Sequence, residues 1–358
     1  MTIVANTHPY VIGVDTHAAT HTYAVLTGAT GAVVDVATFP TTIAGMERAL
    51  AWVGRRTGGD LQALVVIEGI GSYGAQLARA AQQAGYEVAE PASIPRSARR
   101  SMGKSDELDA QLIARSVLPV ATDRLRRPRL GEGDREAMRI LLGARDALNT
   151  DRSQAVGALT ALVRTHDLGI DARKALSDRQ IKQIAAWRPR HGEDIARATA
   201  RREAIRLARR ITDCDTELAD NKRELTALVA DGDSAHITAE PGVGAVNAAV
   251  LLTVWSHPGR IHSEAAFAAI AGVSPLPASS GKTTRHRLNR GGDRRLNRAL
   301  HSILLTRLRT DPATRAYVER RTADGRTPKE IRRSLKRYIA RQLYRLLTNP
   351  PATAATAA

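Results

Sequence analysis

Three short segments decide the fold: VIGVD at residues 11–15, LVVIE at residues 64–68 and KSDELDA at residues 104–110. The first two are apolar runs typical of buried strands, and each ends in an acid, Asp15 or Glu68. A carboxylate at the end of a buried run is costly to desolvate unless a cation compensates its charge. These segments therefore predict strands that carry an acidic, cation-binding site.

The third segment supplies two further acids, Asp106 and Asp109. They are three residues apart on a predicted helix over residues 105–118, so their side chains share one face. Four carboxylates brought together would repel one another unless cations lie between them. We therefore predict that all four acids, Asp15 and Glu68 included, bind Mg²⁺, with Mn²⁺ as the alternative, for phosphodiester chemistry. Any one acid taken alone is better explained as a turn or capping residue.

The order of the elements around these acids predicts the N-terminal fold. Alternating apolar residues between Tyr10 and Asp35 predict three strands, YVIGVD, THTYAVL and AVVDVAT. The elements predicted next are a helix over 41–55, a strand over 61–67, a helix over 72–84, a strand over 86–89 and the helix over 105–118. A meander followed by alternating helices and strands is typical of an α/β domain of ribonuclease-H (RuvC-like) type. We predict such a domain over residues 1–122.

The rest of the chain is predicted to be mainly α-helical. A basic, proline-containing linker, DRLRRPRL, precedes a region over residues 131–230 whose apolar residues recur every three or four positions. We interpret this region as a coiled-coil spacer of two long helices, and the pattern leaves open whether they pair within or between subunits. A mainly α C-terminal domain over residues 236–348 and a disordered tail over 349–358 complete the prediction.

The charge distribution favours a nucleic-acid partner. The formal net charge is +17, yet residues 1–120 hold 9 basic and 10 acidic side chains. Residues 276–345 hold 20 basic and 5 acidic side chains, a balance that predicts salt-dependent binding of polyphosphate. The alternative is that the arginines reflect genomic base composition, since Lys supplies only 7 of the 53 cations.

Several other function classes are disfavoured by composition. The single cysteine, Cys214, excludes an internal disulfide and a cysteine-based zinc site. No stretch approaches the roughly 20 apolar residues of a membrane span, and the N-terminal residues show no basic segment followed by an apolar one. We expect a cytoplasmic protein without a membrane partner. His17 and His21 are expected to face solvent or to contact a ligand residue rather than a metal.

Two C-terminal segments predict contacts with phosphate. PGVG at Pro241–Gly244 precedes an Ala-rich helix, where the backbone N–H groups at Gly242 and Gly244 could contact a phosphate; an ordinary helix start is an equally good explanation. In SSGK at residues 279–282, a serine hydroxyl could attack a phosphodiester and conserve the bond energy in a phosphoserine link, although a plain loop is the simpler explanation of this segment alone. The basic residues predicted to bind nucleic acid are Lys282, Arg285, Arg287, Arg290, Arg294 and Arg295.

Taken together, these segments resemble the DEDD-type insertion-sequence transposases, the family that includes the Piv-type invertases and the bridge-RNA-guided recombinases. The resemblance spans nearly the whole chain and rests on the order of its paired blocks. These blocks are VIGVD, VVIE and KSDELDA on the N-terminal side, and EPGVG, AFAAIAGVSP, SSGK and LNRGGDRRLNRAL on the C-terminal side.

The resemblance implies a RuvC-like domain whose acids Asp15, Glu68, Asp106 and Asp109 bind magnesium, and a C-terminal domain with a catalytic serine. It also implies a homo-oligomer, dimer or tetramer, in which domains of different subunits form a composite site, and a structured noncoding RNA that specifies donor and target DNA. Two adjacent serines fit the motif. We favour Ser280, which directly precedes Gly281, and keep Ser279 as the alternative.

We therefore expect a DNA transposase or site-specific recombinase that cleaves and rejoins DNA through a phosphoserine intermediate. One alternative is a RuvC-like nuclease or junction resolvase that uses water. A second alternative, from another class, is a nucleic-acid-binding scaffold without catalysis. Actin-like sugar kinases also begin with a Gly-x-Asp strand, but the paired acids on the later helix and the excess of arginine argue against that class.

Overall fold

The computed structural model describes residues 2–92, 105–129, 131–232, 235–278, 286–287, 289 and 291–350. It divides into an N-terminal unit, Met1–Gly131 with Trp255–Phe267, and a helical unit, Glu132–Val254 with Ala268–Ala358. Within the described part of the chain, no helix combines the length and apolar character that a membrane span requires.

The N-terminal unit is built on a mixed β-sheet. Its elements are α1 (Val4–Thr7), β1 (Tyr10–Thr16), β2 (Thr20–Thr27), β3 (Val33–Pro40), α2 (Ile43–Thr57), β4 (Leu64–Ile67), α3 (Ala75–Gln83), β5 (Glu87–Ala89) and α4 (Asp106–Val117). The five strands lie in the order β3-β2-β1-β4-β5. The first three strands pair antiparallel through short turns, whereas β4 and β5 run parallel to β1 after helical crossovers.

Both faces of the sheet are buried at its centre, which explains why β1 is apolar over residues 11–14 and β4 over its whole length. Alternate residues of a strand face opposite sides of the sheet. Ile12 and Val14 of β1 pack in a core with α2 and α3, whereas Val11 packs in a second core with α4. Asp15 has the same parity as Val11, so its side chain lies on the α4 face.

The helical unit begins with a helical hairpin: α5 (Gly133–His166), α6 (Asp178–Ala185) and α7 (Ile195–Ala230). Leu159 of α5 and Ile211 of α7 are fully buried in one core, and the small residues Ala204 and Ala208 allow the two long helices to approach closely. The long helices therefore pair within one chain, which is one of the two arrangements that the sequence left open. Their designation as a coiled coil remains a prediction.

A charged residue lies inside this hairpin. The side chain of Arg201 on α7 is only 2% exposed and forms a bidentate ion pair with Glu193. Its guanidinium also stacks over the ring of Trp187, 4.9 Å from the ring centroid. The guanidinium of Arg201 is thus buried only because its charge is paired and its flat face is covered.

The remaining elements are α8 (Ala245–Trp255), α9 (Glu264–Ile270), β6 (Leu276–Pro277), β7 (His286–Arg287), α10 (Arg294–Thr310), α11 (Pro312–Ala323) and α12 (Pro328–Thr348). Arg307 of α10 connects that helix to the turn at Glu240 and Pro241 and to α12. It donates to the Pro241 carbonyl (2.8 Å) and to Gln342 Oε1 of α12 (2.8 Å), and it pairs with Glu240. The PGVG turn is therefore anchored to α10 and α12.

The structure confirms an α/β N-terminal part followed by a mainly helical remainder. The capping residues Ser105 of α4 and Thr327 of α12 also act as predicted, because each side chain accepts a hydrogen bond from the first helical turn. The two-residue strands β6 and β7 were not predicted. The ribonuclease-H-like assignment and the boundaries of the three predicted domains remain predictions.

Candidate metal centre

The sheet brings Asp15 and Glu68 to one edge. β1 and β4 are parallel neighbours in which Val14 pairs with Ile67. The residue after Val14 is Asp15, and the residue after Ile67 is Glu68. The Glu68 backbone N–H donates to the Val14 carbonyl (3.1 Å), and the Thr16 hydroxyl donates to the Glu68 carbonyl (2.8 Å). Because parallel strands end at the same edge of a sheet, the backbones of the two acids are adjacent.

Helix α4 delivers the other two acids to the same edge. Gly13 allows this, because a Cβ there would lie 2.0 Å from the Ala110 carbonyl oxygen and 2.6 Å from the Ala114 nitrogen of α4. The backbones of β1 and α4 therefore cross in close contact two residues before Asp15. Asp106 and Asp109 lie in the first turn of α4, which starts at the N-cap Ser105.

A tight cluster forms at this edge from Asp15, His17 and Asp106. The His17 Nε2 lies 3.1 Å from Asp15 Oδ2 and 3.6 Å from Asp106 Oδ1. One ligand atom of each residue lies within 4.8 Å of the other two, which is close enough for all three to bind one metal ion. The imidazole of His17 thus contacts both carboxylates of the cluster.

The electrostatics of Asp15 favour a cation. Burial raises the pKa of this carboxyl group, which belongs to a residue only 7% exposed. The hydrogen bond from His17 lowers that pKa, whereas the nearby charges of Asp109 and Asp106 raise it again. The negative charge on Asp15 is thus poorly compensated by the protein, since burial and two like charges oppose it.

These residues fit a divalent metal. Carboxylate oxygens are the ligands that Mg²⁺ prefers, and imidazole nitrogen is more typical of Mn²⁺ and other transition metals. Asp15 and Asp106 contribute oxygens to the cluster, and Asp109 is close enough to perturb Asp15. Glu68 is half-buried at the same edge. Among the described residues, the set of atoms within mutual ligand distance contains neither Glu68 nor Asp109.

His17 contacts the predicted ligand residue Asp15, which is one of the two alternatives predicted for it from the sequence, and the structure adds that its Nε2 lies within ligand distance of both carboxylates. The turn after β1 carries its side chain back over the end of the strand to Asp15, although the side chain is 53% exposed. His21 behaves differently: it pairs with Thr16 across the hairpin, is 1% exposed, and has its pKa lowered by burial. The sequence signal for the contact of His17 with Asp15 is their spacing, with one residue between them.

The residues predicted at the C-terminal side are described only in part. Ser279, Ser280, Lys282, Arg285 and Arg290 lie outside the described residues.

The other predicted contacts lie in the helical unit. Gly244 accepts the first hydrogen bond of α8, from Ala248, and Gly242 has a positive φ of 81° against α10. Arg294 is exposed, and Arg287 is exposed on β7. Arg295 pairs with Asp146 of α5 at 2.6 Å, so its charge is partly neutralised.

Comparisons with known proteins agree with this geometry. Residues 12–166, which contain all four acids, match a family model described as "Transposase", that of the DEDD domain of IS110 elements. The chain is thus a DEDD-type insertion-sequence transposase. Residues 234–319 match a second model, described as "Transposase IS116/IS110/IS902 family". With both domains present in this order, the chain belongs to the IS110 family of transposases, enzymes that cleave and transfer DNA.

Two relatives support the family assignment. The "Insertion element IS900 uncharacterized 42 kDa protein" of Mycobacterium paratuberculosis is 28% identical over 309 residues, which cover 72% of this chain and 76% of that protein. The "Insertion element IS110 uncharacterized 43.6 kDa protein" of Streptomyces coelicolor is 32% identical over 138 residues, which cover 37% of this chain and 34% of that protein. The similarity therefore extends over most of the chain.

Proposed function

We propose that this transposase is a metal-dependent DNA recombinase that cleaves and rejoins DNA through a phosphoserine intermediate, with a structured noncoding RNA that selects the DNA. The cluster of Asp15, His17 and Asp106 at the edge of the sheet is the observation that carries the metal-dependent part. Family membership and the SSGK segment support the strand-transfer part.

In this proposal the acids of the N-terminal unit hold the metal. Asp15, Glu68, Asp106 and Asp109 would bind Mg²⁺, with Mn²⁺ as the alternative. Bound divalent ions stabilise charge on the attacking and leaving oxygens of a phosphodiester. Asp15 would contribute a buried carboxylate from the end of β1, and Asp106 and Asp109 lie in the first turn of α4.

The serine supplies the covalent step. The hydroxyl oxygen of Ser280, or of Ser279, attacks the phosphorus of a phosphodiester, and a deoxyribose oxygen leaves with a proton. A deoxyribose hydroxyl of the new partner strand then attacks the phosphoserine and returns the proton to the serine. The number of phosphoester bonds is unchanged, so strand exchange needs no nucleotide cofactor.

The basic C-terminal segment binds the nucleic acid in this proposal. Lys282, Arg285, Arg287 and Arg290 follow the serines and would hold the phosphates around the bond under attack. Further contacts are proposed for the Gly242 and Gly244 backbone and for Arg294 and Arg295. The acids lie in the other unit, so the binding of nucleic acid and the cleavage of DNA should be separable.

Substitution of the acids tests the metal-dependent part. Asp15→Asn and Asp109→Asn should abolish DNA strand cleavage and leave DNA affinity largely unchanged. Asp35→Asn is the matched control, because Asp35 lies in β3 of the same sheet and pairs with Arg56. Asp15→Asn should fold at least as well as the wild type in chelator, since it removes a poorly compensated buried charge. Loss of DNA binding in a folded Asp15→Asn protein would contradict this division of function.

Trapping distinguishes the recombinase from a hydrolytic nuclease or junction resolvase. A covalent protein–DNA adduct that survives denaturation, and disappears in Ser280→Ala or Ser279→Ala, supports the phosphoserine. Free 5′-phosphate and 3′-hydroxyl ends without an adduct support attack by water. A protein that cleaves nothing with any divalent metal, and whose binding ignores chelators, would be a scaffold.

The guide RNA and the oligomer have tests of their own. A structured noncoding RNA transcribed from the DNA that flanks the gene should bind the purified protein and direct its cleavage to matching DNA. Light scattering of the complex should give a dimer or a tetramer. Cleavage by a monomer without RNA would remove both parts of the proposal and leave the metal-dependent chemistry intact.

A further inference from the structure

A cavity of about 580 Å³ opens in the helical unit. Its walls come from α12, from Asn297 on α10, from the loop Gly272–Pro275 and from Arg287 of β7. None of these walls belongs to the N-terminal unit. The cavity is therefore a feature of the helical unit by itself.

The lining of this cavity is strongly basic. It includes one carboxylate, that of Glu330. Glu330 is committed to the cap of α12, where it accepts hydrogen bonds from the Thr327 N–H and hydroxyl at 2.9 Å. The basic side chains of the lining are Arg287, Arg321, Arg326, Arg333, Lys336 and Arg337, of which Arg321 is paired with Asp324. A cavity with this excess of positive charge attracts anions.

Neutral partners hold two half-buried cations of α12 that line the cavity, Lys336 and Arg337. The Lys336 ammonium donates to Asn297 Oδ1 at 2.7 Å, and the Arg337 guanidinium donates to Ser274 Oγ at 2.6 Å. Among the described residues, no carboxylate lies within 4.0 Å of either group. Asn297 and Ser274 thus fix the directions of the two side chains without neutralising their charge.

The positive charge of the basic side chains helps to lower the pKa of a neighbouring histidine. Burial lowers the pKa of His301 on α10, and the charges of Lys336 and Arg332 lower it further. Burial also lowers the pKa of Lys336 itself, because its ammonium has lost part of its water. An anion in the cavity would replace that lost solvation.

The cavity adjoins the strands that flank the proposed nucleophile. Arg287 lies in β7, and Pro275 immediately precedes β6, with which β7 pairs. In the sequence, Ser279 and Ser280 lie between these two strands. The residues that would bind a phosphate here are thus close in sequence to the proposed serine. This step rests on the proposed function.

We infer that this cavity binds a phosphodiester group of nucleic acid, with Lys336 and Arg337 donating hydrogen bonds to its non-bridging oxygens. Arg333 and Arg326 line the same cavity and would bind the flanking phosphates. The shared chemistry is the sugar–phosphate backbone, which DNA and guide RNA both offer. The sequence predicts polyphosphate binding by residues 276–345 as a whole, and the cavity adds which of their basic side chains would contact the phosphate.

The test compares three substitutions on one helix. Lys336→Met and Arg333→Met remove one cation each from the cavity, and Lys329→Met removes an exposed cation of α12 that does not line it. Binding would be measured by fluorescence anisotropy in chelator, with a labelled DNA duplex and an RNA stem-loop of equal phosphate number. Each cavity variant should bind roughly tenfold or more weakly. For the duplex, the slope of log affinity against log salt should fall by about 0.9.

The outcomes separate the possible sources. Equal losses for DNA and RNA support a site for any backbone, whereas a loss for one probe alone identifies that nucleic acid as the ligand. Circular dichroism checks the folding, and Arg333→Met is the safer variant because Arg333 is exposed. If both cavity variants bind like Lys329→Met, the inference is overturned. Absence of a serine adduct in the wild type would instead contradict the phosphoserine while these binding results stand.

Discussion

The substitution Gly13→Ala adds a single methyl group that tests the geometry of the candidate metal centre. In Gly13→Ala the new Cβ would lie 2.0 Å from the Ala110 carbonyl oxygen, whereas Cβ atoms essentially never approach within 3.0 Å of such an atom. β1 and α4 must therefore separate by about 1 Å for this contact to reach 3.0 Å. The atoms in the way are backbone, so no side chain can rotate aside.

Two effects of this separation can be estimated. Overpacking of this kind typically costs about 1–3 kcal/mol, and the backbone contact places Gly13→Ala at the upper end. The shift also moves Asp106 and Asp109 away from Asp15. Misplacement of catalytic groups by roughly 1 Å can lower the rate about 100-fold. Measured at a low temperature where circular dichroism shows the variant folded, DNA cleavage should therefore fall by more than the loss of stability explains, because the acids are displaced.

Hydrogen–deuterium exchange is the direct assay, because it reports β1 and α4 separately from the helical unit. Exchange should accelerate in both elements of Gly13→Ala. Gly157→Ala is the control: this exposed glycine lies within α5, where an added Cβ meets nothing within 4 Å. It should leave cleavage unchanged and stabilise α5 by up to about 1 kcal/mol. A Gly13→Ala protein with normal exchange and normal cleavage would show that the helix does not lie this close.

Three further predictions concern charges. His17→Ala should lower the Tm of the metal-free protein, because the buried carboxylate of Asp15 then loses its hydrogen bond with His17, and saturating Mn²⁺ should remove most of the difference in calorimetry. Arg201 holds the pKa of Glu193 below its ordinary value, so the pair stabilises above that value and stops doing so as the pH falls through the lowered pKa. In urea unfolding, Glu193→Gln should therefore be less stable than the wild type at neutral pH. The difference in free energy of unfolding between the two proteins should become smaller in acid. Asp146→Asn frees the guanidinium of Arg295 and should tighten DNA binding at low salt; unchanged affinity would argue against a DNA contact by Arg295.

The elements of the N-terminal unit could be predicted because their sequence patterns are local. Buried strands such as VIGVD are continuous apolar runs, and Ser105 caps its helix through a contact three residues away. The two apolar runs predict β1 and β4 as buried strands, and the structure adds that they pair in parallel. What the sequence supplied for the candidate metal centre was thus the acids that end these strands and begin α4; their binding of a metal remains a prediction.

Other features depend on tertiary contacts that no local pattern encodes. The contact of His17 with Asp15 depends on how the turn after β1 folds back. The burial of Arg201 depends on Glu193 and Trp187 approaching from outside the helix. A charged residue at a helical position ordinarily predicts a solvent-exposed face, and here that expectation would fail.

The proposed metal site and the proposed phosphate site of this transposase lie in different units and carry opposite charges. A cluster of carboxylates repels a phosphate backbone until a cation neutralises it, whereas the basic cavity attracts the backbone at any metal concentration. Binding of DNA should therefore depend on salt and ignore chelators, and cleavage should stop in chelator while the complex persists. If chelators release the DNA at moderate salt, the metal must help to bind the substrate, and the acids must contribute to affinity as well as to chemistry.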